Sequence, residues 1–138
     1  EINTAMPAYV VNRAMLALNK HGKALKGARV LLVGLAYKKN VDDDRESPTY
    51  ALWRLLARYG AEVAYYDPYC AVVPMTREHP KLAGIQSVTW DDVACGGFDL
   101  AIISTAHDNV DHDALAALVP LVVDTRGVCS PSDHVIKA

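Results

Sequence analysis

The sequence is poor in the features that mark secreted, metal-stabilised or nucleic-acid-binding proteins. Its three cysteines, Cys70, Cys95 and Cys129, form no C-x-x-C pair, so neither a disulfide framework nor a zinc knuckle is indicated. A formal net charge of −2 gives no reason to expect nucleic acid or an acidic membrane as a partner. No apolar run reaches the roughly 18 residues that a membrane span needs. We therefore expect a cytoplasmic protein with reduced thiols and no membrane segment.

The chain also lacks an initiator methionine, since it begins with Glu1-Ile2-Asn3-Thr4. We interpret it as a fragment of a longer protein. Its 138 residues are nevertheless enough for one domain, and 51% of them are apolar, so a core can form without disulfides or metal.

What the sequence does contain is a regular alternation of strand-like and helix-like segments. Strands are predicted at 28–34, 61–68, 98–105 and 121–124, with a short one at Ser87-Val88. Helices are predicted at about 5–21, from Ser47 to Gly60, around Asp91-Asp92, and at 111–119 with Leu115 and Leu118 facing inward. This alternation predicts an α/β fold, a Rossmann-like and mostly parallel sheet with helices on both faces.

We divide the chain into an N-terminal linker helix, residues 1–25, and a Rossmann-like domain, residues 26–138. In the first helix, Val11, Ala14, Met15 and Leu18 recur on one face, and Tyr9 widens the apolar arc. This helix either packs on a central domain that precedes it or serves the core of the present domain, and the sequence leaves both open.

In a parallel sheet, ligands bind beyond the carboxyl ends of the strands. The residues that follow the predicted strands are Gly34 to Lys39, Asp67-Pro68, Thr105 to His107 and Asp124 to Gly127. Asp67 would hold a ribose in a dinucleotide site. However, Gly34 stands alone rather than in a G-x-G-x-x-G motif, and an insert of eleven residues, 38–48, separates the strand from its helix. The tight turn that a pyrophosphate needs is therefore missing, which argues against NAD binding here.

The insert carries a distinctive string, Tyr37-Lys38-Lys39-Asn40-Val41-Asp42-Asp43-Asp44-Arg45-Glu46-Ser47-Pro48. With Gly34 and Ala36 it resembles the G-x-A-[YF]-K and D-x-R-[ED]-S-P motifs in the C-terminal domain of the UDP-glucose/GDP-mannose dehydrogenase family. Further matches follow in the right order: Asn3 with Met6-Pro7, Gly60-Ala61, Tyr66-Asp67-Pro68 and Asp124-Thr125-Arg126-Gly127. The insert is most similar to that of bacterial UDP-N-acetyl-hexosamine 6-dehydrogenases, and UDP-glucose enzymes are close.

The resemblance implies an enzyme that uses NAD to oxidise C6 of a UDP-sugar from alcohol to carboxylate. It implies that this domain closes over the active site and holds the UDP part of the substrate. NAD and the catalytic cysteine would belong to N-terminal and central domains absent from this chain. The family's Gly-x-Cys-x-Pro nucleophile motif has no match here, so we assign no catalytic residue and expect no activity from the chain alone. A homodimer or higher oligomer is expected for the full enzyme.

The resemblance assigns substrate binding to Tyr37, Lys38 and Arg126. Lys38 is expected to reach phosphate or the uracil carbonyls, and the Arg126 guanidinium suits a bidentate contact with phosphate. The alternatives are that Lys38 is a solvated loop lysine and that Arg126 pairs structurally with Asp124 or another loop carboxylate.

Four residues of the insert are assigned a structural role. Asp43 and Arg45 are expected to form an ion pair, and Ser47 and Pro48 are expected to start the next helix as its N-cap and first residue. No metal site is predicted, because the consecutive carboxylates at 42–44 point in different directions. His107 is interpreted as a hydrogen-bonded residue at a strand end and His112 as a surface residue, rather than as metal ligands.

One loop departs from the family pattern. The family commonly has T-D-H followed by an aromatic residue after the fourth strand, whereas this sequence has Ala106 before His107 and Val110 in place of the aromatic. Two other hypotheses remain open at this point: a stand-alone module that binds a free nucleotide, and a small NAD-binding regulatory domain.

Overall fold

The computed structural model describes residues 6–35, 48–75 and 79–138. The helices in these residues are α1 (Met6–Lys20), α2 (Pro48–Arg58), α3 (Trp90–Cys95) and α4 (His112–Leu118), with a 3-10 turn at Pro80–Leu82. The strands are β1 (Arg29–Val33), β2 (Glu62–Tyr66), β3 (Leu100–Ile103), β4 (Val122–Asp124) and β5 (Val135–Lys137). The predicted alternation of helix and strand is confirmed. None of the described helices is long and apolar enough to cross a membrane.

The described strands form one parallel sheet in the order β2-β1-β3-β4-β5. Val33 at the end of β1 lies beside Tyr66 of β2 and Ile103 of β3, and Ile103 lies beside Asp124 of β4. Four strands therefore end at one level. The strand order reverses between β1 and β3, which makes the carboxyl ends of these two strands the topological switch point of the sheet.

Helices cover both faces of the sheet, as predicted. Alternate residues of β1 point to opposite faces, so Val30 and Leu32 belong to one apolar core and Leu31 and Val33 to the other. The first core includes residues of α1 and α2, and the second includes residues of α3 and α4. Strands buried on both faces explain why β1 and β3 are continuous apolar runs.

Helix α1 contributes to the first core. Val10, Val11, Ala14 and Leu18 are buried within it, and Arg13 donates a hydrogen bond from Nη2 to the carbonyl of Lys137, 3.0 Å away. The packing supports the expectation that α1 serves the core of this domain. On its other side, Tyr9 and Leu16 are exposed.

Two details of the predicted elements are wrong. Ser87-Val88 was predicted as a strand and is not one. In the described residues, the β-bridge of this segment joins Gln86 to Val72, and Val88 only donates a hydrogen bond from its N–H to the Tyr65 carbonyl. Leu118 does not face inward and is 38% exposed. Helix α4 ends at Leu118, and the extended residue Val119 takes the buried position instead.

Candidate ligand-binding site at the carboxyl edge of the sheet

Gly34 lets β1 and β3 approach each other closely where the chain leaves β1. Its φ angle is +90°, and its N–H donates to the Tyr66 carbonyl at 2.9 Å. A Cβ at this position would lie 2.6 Å from the Cβ of Thr105 and would collide with the Thr105 carbonyl oxygen. Only glycine fits both this backbone conformation and this space.

Asp67 is a buried carboxylate that follows β2 and holds the start of the loop after β1. Its Oδ2 accepts a hydrogen bond from Leu35 N–H at 2.7 Å, and its Oδ1 accepts one from Tyr69 N–H at 2.7 Å. His107 Nε2 lies 3.1 Å from Oδ2, and the His107 ring packs against that of Tyr69 with centroids 4.7 Å apart. Because both carboxylate oxygens are engaged inside the protein, the geometry supports the argument against Asp67 as a ribose ligand.

The prediction for His107 as a hydrogen-bonded residue at a strand end is confirmed, since it is buried against Asp67. The prediction for His112 is wrong. His112 is only 8% exposed. It is the first residue of α4, which the Asp111 side chain caps, and its carbonyl accepts a hydrogen bond from the Cys129 thiol. Burial lowers the pKa of His112, although the nearby Asp124 and Asp111 carboxylates act in the opposite direction.

Asp124 is a second buried carboxylate, at the end of β4, and it shapes the loop that carries Arg126. Oδ1 accepts hydrogen bonds from the N–H groups of Arg126 and Gly127, at 3.0 and 2.8 Å. Oδ2 accepts from Cys129 N–H at 2.8 Å and from Lys137 Nζ at 2.9 Å. Burial acts to raise the pKa of Asp124, but these hydrogen bonds and the Lys137 charge outweigh it and hold the pKa below its ordinary value.

The side chain of Arg126 extends from this loop toward β3. Its Nε donates to the Ser104 carbonyl at 2.9 Å, and the residue is exposed. Within the described residues the guanidinium forms no ion pair, so a pairing with Asp124 is not observed; that carboxylate is taken by backbone N–H groups and Lys137. The guanidinium is thus oriented through one nitrogen and retains its two terminal amino groups for an anion.

Ser104 also connects this arginine to the amino end of α2. Its Oγ lies 2.5 Å from Oγ1 of Thr49, and both side chains are buried. Pro48 is the first residue of α2, so the positive end of the helix dipole lies on the same edge of the sheet as Arg126. The edge therefore combines a cation and a helix amino terminus, which both favour an anionic ligand.

The structure describes two of the seven residues singled out for the site, Arg126 and Pro48. The other five, Tyr37, Lys38, Asp43, Arg45 and Ser47, lie outside the described residues, and their assigned roles stay predictions. Among the described residues, no group of three His, Cys, Asp or Glu side chains is placed to hold a metal ion.

Sequence reasoning missed two partners of these loops, Ser104 and Lys137. An aspartate directly after a strand and before a turn residue, as in Asp67-Pro68, signals a side chain that bonds the backbone two residues on. This signal was available for Asp67 and Asp124. No local signal marks Lys137, which meets Asp124 only because β5 pairs with β4 in that register.

The fold and the site together define a class of protein. A doubly wound parallel sheet whose carboxyl edge presents a cation and a helix amino terminus is typical of domains that bind anionic ligands, and the sequence lacks the glycine-rich turn of the dinucleotide fold. Residues 31–131 match the model of the UDP binding domain of the UDP-glucose/GDP-mannose dehydrogenase family. The chain belongs to that family, which does not favour a stand-alone nucleotide-binding or NAD-binding regulatory module.

Similar proteins come from archaea and bacteria. The chain is 30% identical over 140 residues to the UDP-N-acetyl-D-mannosamine dehydrogenase of Methanococcus maripaludis, a match that covers 96% of this chain and 30% of the relative. It is also 30% identical to the UDP-glucose 6-dehydrogenase of Bacillus subtilis, covering 100% of this chain and 31% of the relative. The UDP-D-ManNAc dehydrogenase structure from Pyrococcus horikoshii superposes with a TM-score of 0.75 at 26% identity, covering 98% of this chain and 30% of that one. The chain therefore spans about 30% of the length of these relatives.

Proposed function

We propose that this chain binds the UDP part of a UDP-sugar as one domain of an NAD-dependent nucleotide-sugar 6-dehydrogenase. The observation that carries the proposal is the Arg126 guanidinium, held by the Ser104 carbonyl at the carboxyl edge of the sheet within a match to the UDP binding domain. A diphosphate is anionic, and a guanidinium offers it charge-assisted, bidentate hydrogen bonds.

In this proposal, Tyr37, Lys38 and Arg126 contact the ligand. Lys38 follows β1 by five residues in the sequence and Arg126 follows β4 by two, and these two strands end at the same edge of the sheet. The amino-acid sequence of the insert favours a UDP-N-acetyl-hexosamine as the substrate, and UDP-glucose is the alternative. Relatives that act on UDP-N-acetyl-D-mannosamine, UDP-N-acetyl-D-glucosamine and UDP-glucose support this range of substrates.

NAD does not fit this domain, and we propose that it is held by other domains of the full enzyme. In the sequence, Gly34 stands alone after β1 rather than in a G-x-G-x-x-G motif, which argues against a site for a dinucleotide pyrophosphate. When bound to the full enzyme, NAD would supply the hydride acceptor for C6 of the sugar. The present chain would contribute the binding and orientation of the nucleotide.

Two of the three cysteines are buried, which supports the proposal that neither of these two is a catalytic nucleophile. Burial, with a smaller contribution from Asp124, raises the pKa of Cys129 to about 11, so this thiol is not activated as a nucleophile. Cys70 is buried as well, and its thiol donates to the Val72 carbonyl. We expect the chain alone to form no NADH from NAD and a UDP-sugar.

Three further features belong to the proposal. Residues 1–25 would form the linker at the end of a central region that precedes residues 26–138, the UDP-sugar-binding domain, with α1 packed into the first core of that domain. The full enzyme would be a homodimer or higher oligomer. Its location would be the cytoplasm, where nucleotide sugars are used for biosynthesis.

The test is a calorimetric titration of arginine and lysine variants with UDP. Loss of a charge-assisted hydrogen bond typically costs about 1.5–3 kcal/mol, so Lys38→Ala and Arg126→Ala should each weaken UDP binding roughly tenfold to a hundredfold. Arg126→Lys should recover only part of the affinity, because an ammonium cannot make the bidentate contact. The melting temperature should be nearly unchanged.

Matched controls lie at the opposite edge of the sheet. Lys26 precedes β1 and Arg58 ends α2, and both are exposed. Lys26→Ala and Arg58→Ala should bind UDP as the parent does. If Lys38→Ala and Arg126→Ala behave like these controls, the proposed placement of the site is wrong.

A further inference from the structure

A cavity outside the candidate site opens between α2 and the 3-10 turn at Pro80–Leu82. Its volume is about 330 Å³, at the lower end of the range for small-molecule sites, so it suits a small ligand. All of its lining residues belong to the described ranges of the chain: Trp53, Arg54, Ala57, His79, Pro80, Lys81 and Leu82.

The floor of this cavity is apolar and rests on the sheet. Trp53 is only 4% exposed, and its ring packs against that of Tyr65 in β2 with centroids 5.6 Å apart. The Tyr65 hydroxyl lies within hydrogen-bond distance of the carbonyls of Cys70 and Ile85, at 2.9 and 3.4 Å. Leu82 adds a second buried apolar side chain. An indole and a leucine on a fixed support suit the apolar surface of a planar ring.

The wall opposite α2 is fixed by main-chain hydrogen bonds. Leu82 N–H donates to the His79 carbonyl at 3.1 Å and closes the 3-10 turn. Just beyond this turn, Gly84 N–H donates to the Val73 carbonyl at 2.8 Å, and Val73 N–H donates to the Ile85 carbonyl at 2.9 Å. Because contacts within the domain hold both walls, a ligand would meet a preformed cavity and would not have to order it.

The solvent side of the cavity is cationic. Arg54 of α2 and Lys81 of the 3-10 turn are exposed, whereas Trp53 and Leu82 are buried, so the positive charge lies outside the apolar floor. His79 is a third basic side chain of the lining, and none of the lining residues named above is acidic. Positive charge beside an apolar surface favours a ligand that combines a planar ring with an anionic group.

This cavity is separate from the carboxyl edge of the sheet. Helix α2 begins at Pro48 on that edge, and its lining residues, from Trp53 to Ala57, lie about 8 to 14 Å further along the helix axis. Arg126 is not among the lining residues. We propose that the cavity between α2 and the 3-10 turn is a second binding site of this domain, for a small planar aromatic anion such as an aromatic carboxylate. This proposal goes beyond the binding of UDP and does not depend on it.

The test uses naphthoate as the probe in a two-dimensional NMR titration of the 138-residue chain. The chain has two tryptophans, Trp53 and Trp90, and the variant Trp90→Phe assigns their indole N–H signals. Naphthoate should shift the Trp53 signal saturably, together with the backbone signals of Lys81 and Leu82. The Trp90 signal should stay in place, because Trp90 begins α3 on the other face of the sheet. A Trp53 signal that does not shift, or shifts without saturation, would contradict the proposal.

A blocking variant tests the location of the site. Ala57 lines the cavity from an exposed position of α2, so Ala57→Phe places a ring in the cavity without disturbing the core and should abolish saturable binding of naphthoate. The control is Ala117→Phe, the same substitution at an exposed position of α4, which should bind naphthoate as the parent does. Equal binding by the two variants would place the probe elsewhere and overturn the proposal.

A charge variant and an uncharged probe test the preference for an anion. Lys81→Gln should weaken naphthoate binding roughly two- to fivefold, which is the effect expected for an exposed charge contact. Lys20→Gln, at an exposed position that ends α1, should leave the affinity unchanged. Naphthamide has the same ring system without the charge and should bind at least about threefold more weakly than naphthoate. If naphthamide binds as tightly as naphthoate, or if Lys81→Gln binds naphthoate as the parent does, the assigned ligand class is wrong.

The variant Arg126→Ala separates this site from the proposed nucleotide site. Naphthoate should bind this variant with the affinity of the parent. If Arg126→Ala removes naphthoate binding, the probe lies at the carboxyl edge, and the second site is wrong while the proposed function stands. Weaker binding of UDP to Arg126→Ala, with naphthoate binding unchanged, would support two separate sites.

Discussion

Gly34 allows the carboxyl ends of β1 and β3 to lie close together. Its left-handed backbone and the contact with Thr105 bring the ends of β1 and β3 together at the switch point. The single glycine is therefore explained by the close approach of the two strands, and a phosphate-binding turn is not needed to explain it. This explains why the position carries glycine although the dinucleotide motif is missing.

Replacing Gly34 by alanine should lower the free energy of unfolding by more than a left-handed backbone alone explains. The control is Gly22, which has a φ of +70° and where an alanine Cβ would meet no heavy atom within 4 Å apart from its own residue and its chain neighbours. Gly22→Ala should lower the free energy of unfolding by about 1–2 kcal/mol. Gly34→Ala should lower it by about 1–3 kcal/mol more, because a Cβ there overlaps Thr105. Equal losses in urea denaturation of the two variants would contradict this account.

His112 makes the stability of the fold depend on pH. Burial lowers its pKa from the ordinary value of 6.5, so the unfolded chain binds the proton more tightly than the folded one. The stabilisation is therefore complete above pH 6.5 and is lost as the pH falls below that value. His112→Leu, which removes the titrating group, should flatten the decrease in unfolding free energy between about pH 7 and pH 5.

The control for His112 is His21, an exposed histidine at the end of α1. His21→Gln removes a histidine that is not buried, and a flattening equal to that of His112→Leu would contradict the account. If the parent and His112→Leu lose stability in parallel over this range, burial of His112 is not the source of the effect.

Among the elements, α3 is short and depends on its amino-terminal cap. The Thr89 hydroxyl accepts from Asp92 N–H at 3.2 Å, and the Asp92 carboxylate accepts from Thr89 N–H at 3.0 Å, which is a capping box. Thr89→Ala should lower the free energy of unfolding by about 1 kcal/mol, whereas Thr89→Ser should retain most of the stability. Chemical denaturation of both variants checks this, and equal destabilisation by serine and alanine would argue against the cap.

The elements differ in how well the sequence predicts them, for physical reasons. Strands β1 and β3 are buried on both faces, so their apolar runs are unmistakable. Strand β5 has only three residues, is partly exposed at the sheet edge, and gives no comparable signal. Ser87-Val88 has the composition of a strand, but its segment pairs through Gln86 with Val72 and only touches β2. Edge segments depend on tertiary pairing that local sequence does not encode.

For the whole molecule, the position of the candidate site could be predicted from the order of strands and helices in the sequence. The contacts within the site could not be predicted in this way. The carboxyl edge of a parallel sheet was predictable from the strand pattern, and Arg126 is found there. The bond from Arg126 to the Ser104 carbonyl spans 22 residues and depends on the register of β3 with β4. The pairing of Asp67 with His107 spans 40 residues. Such long-range partners could not be read from the motifs that contain their individual members.

The most direct test of the central claim is a calorimetric titration of the unaltered chain with UDP and, separately, with NAD. The account predicts saturable binding of UDP with one site per chain, weakened by added salt because exposed cationic contacts are screened. It predicts no saturable binding of NAD, since the sequence has no G-x-G-x-x-G motif to hold its pyrophosphate. Saturable binding of NAD without binding of UDP would contradict the account.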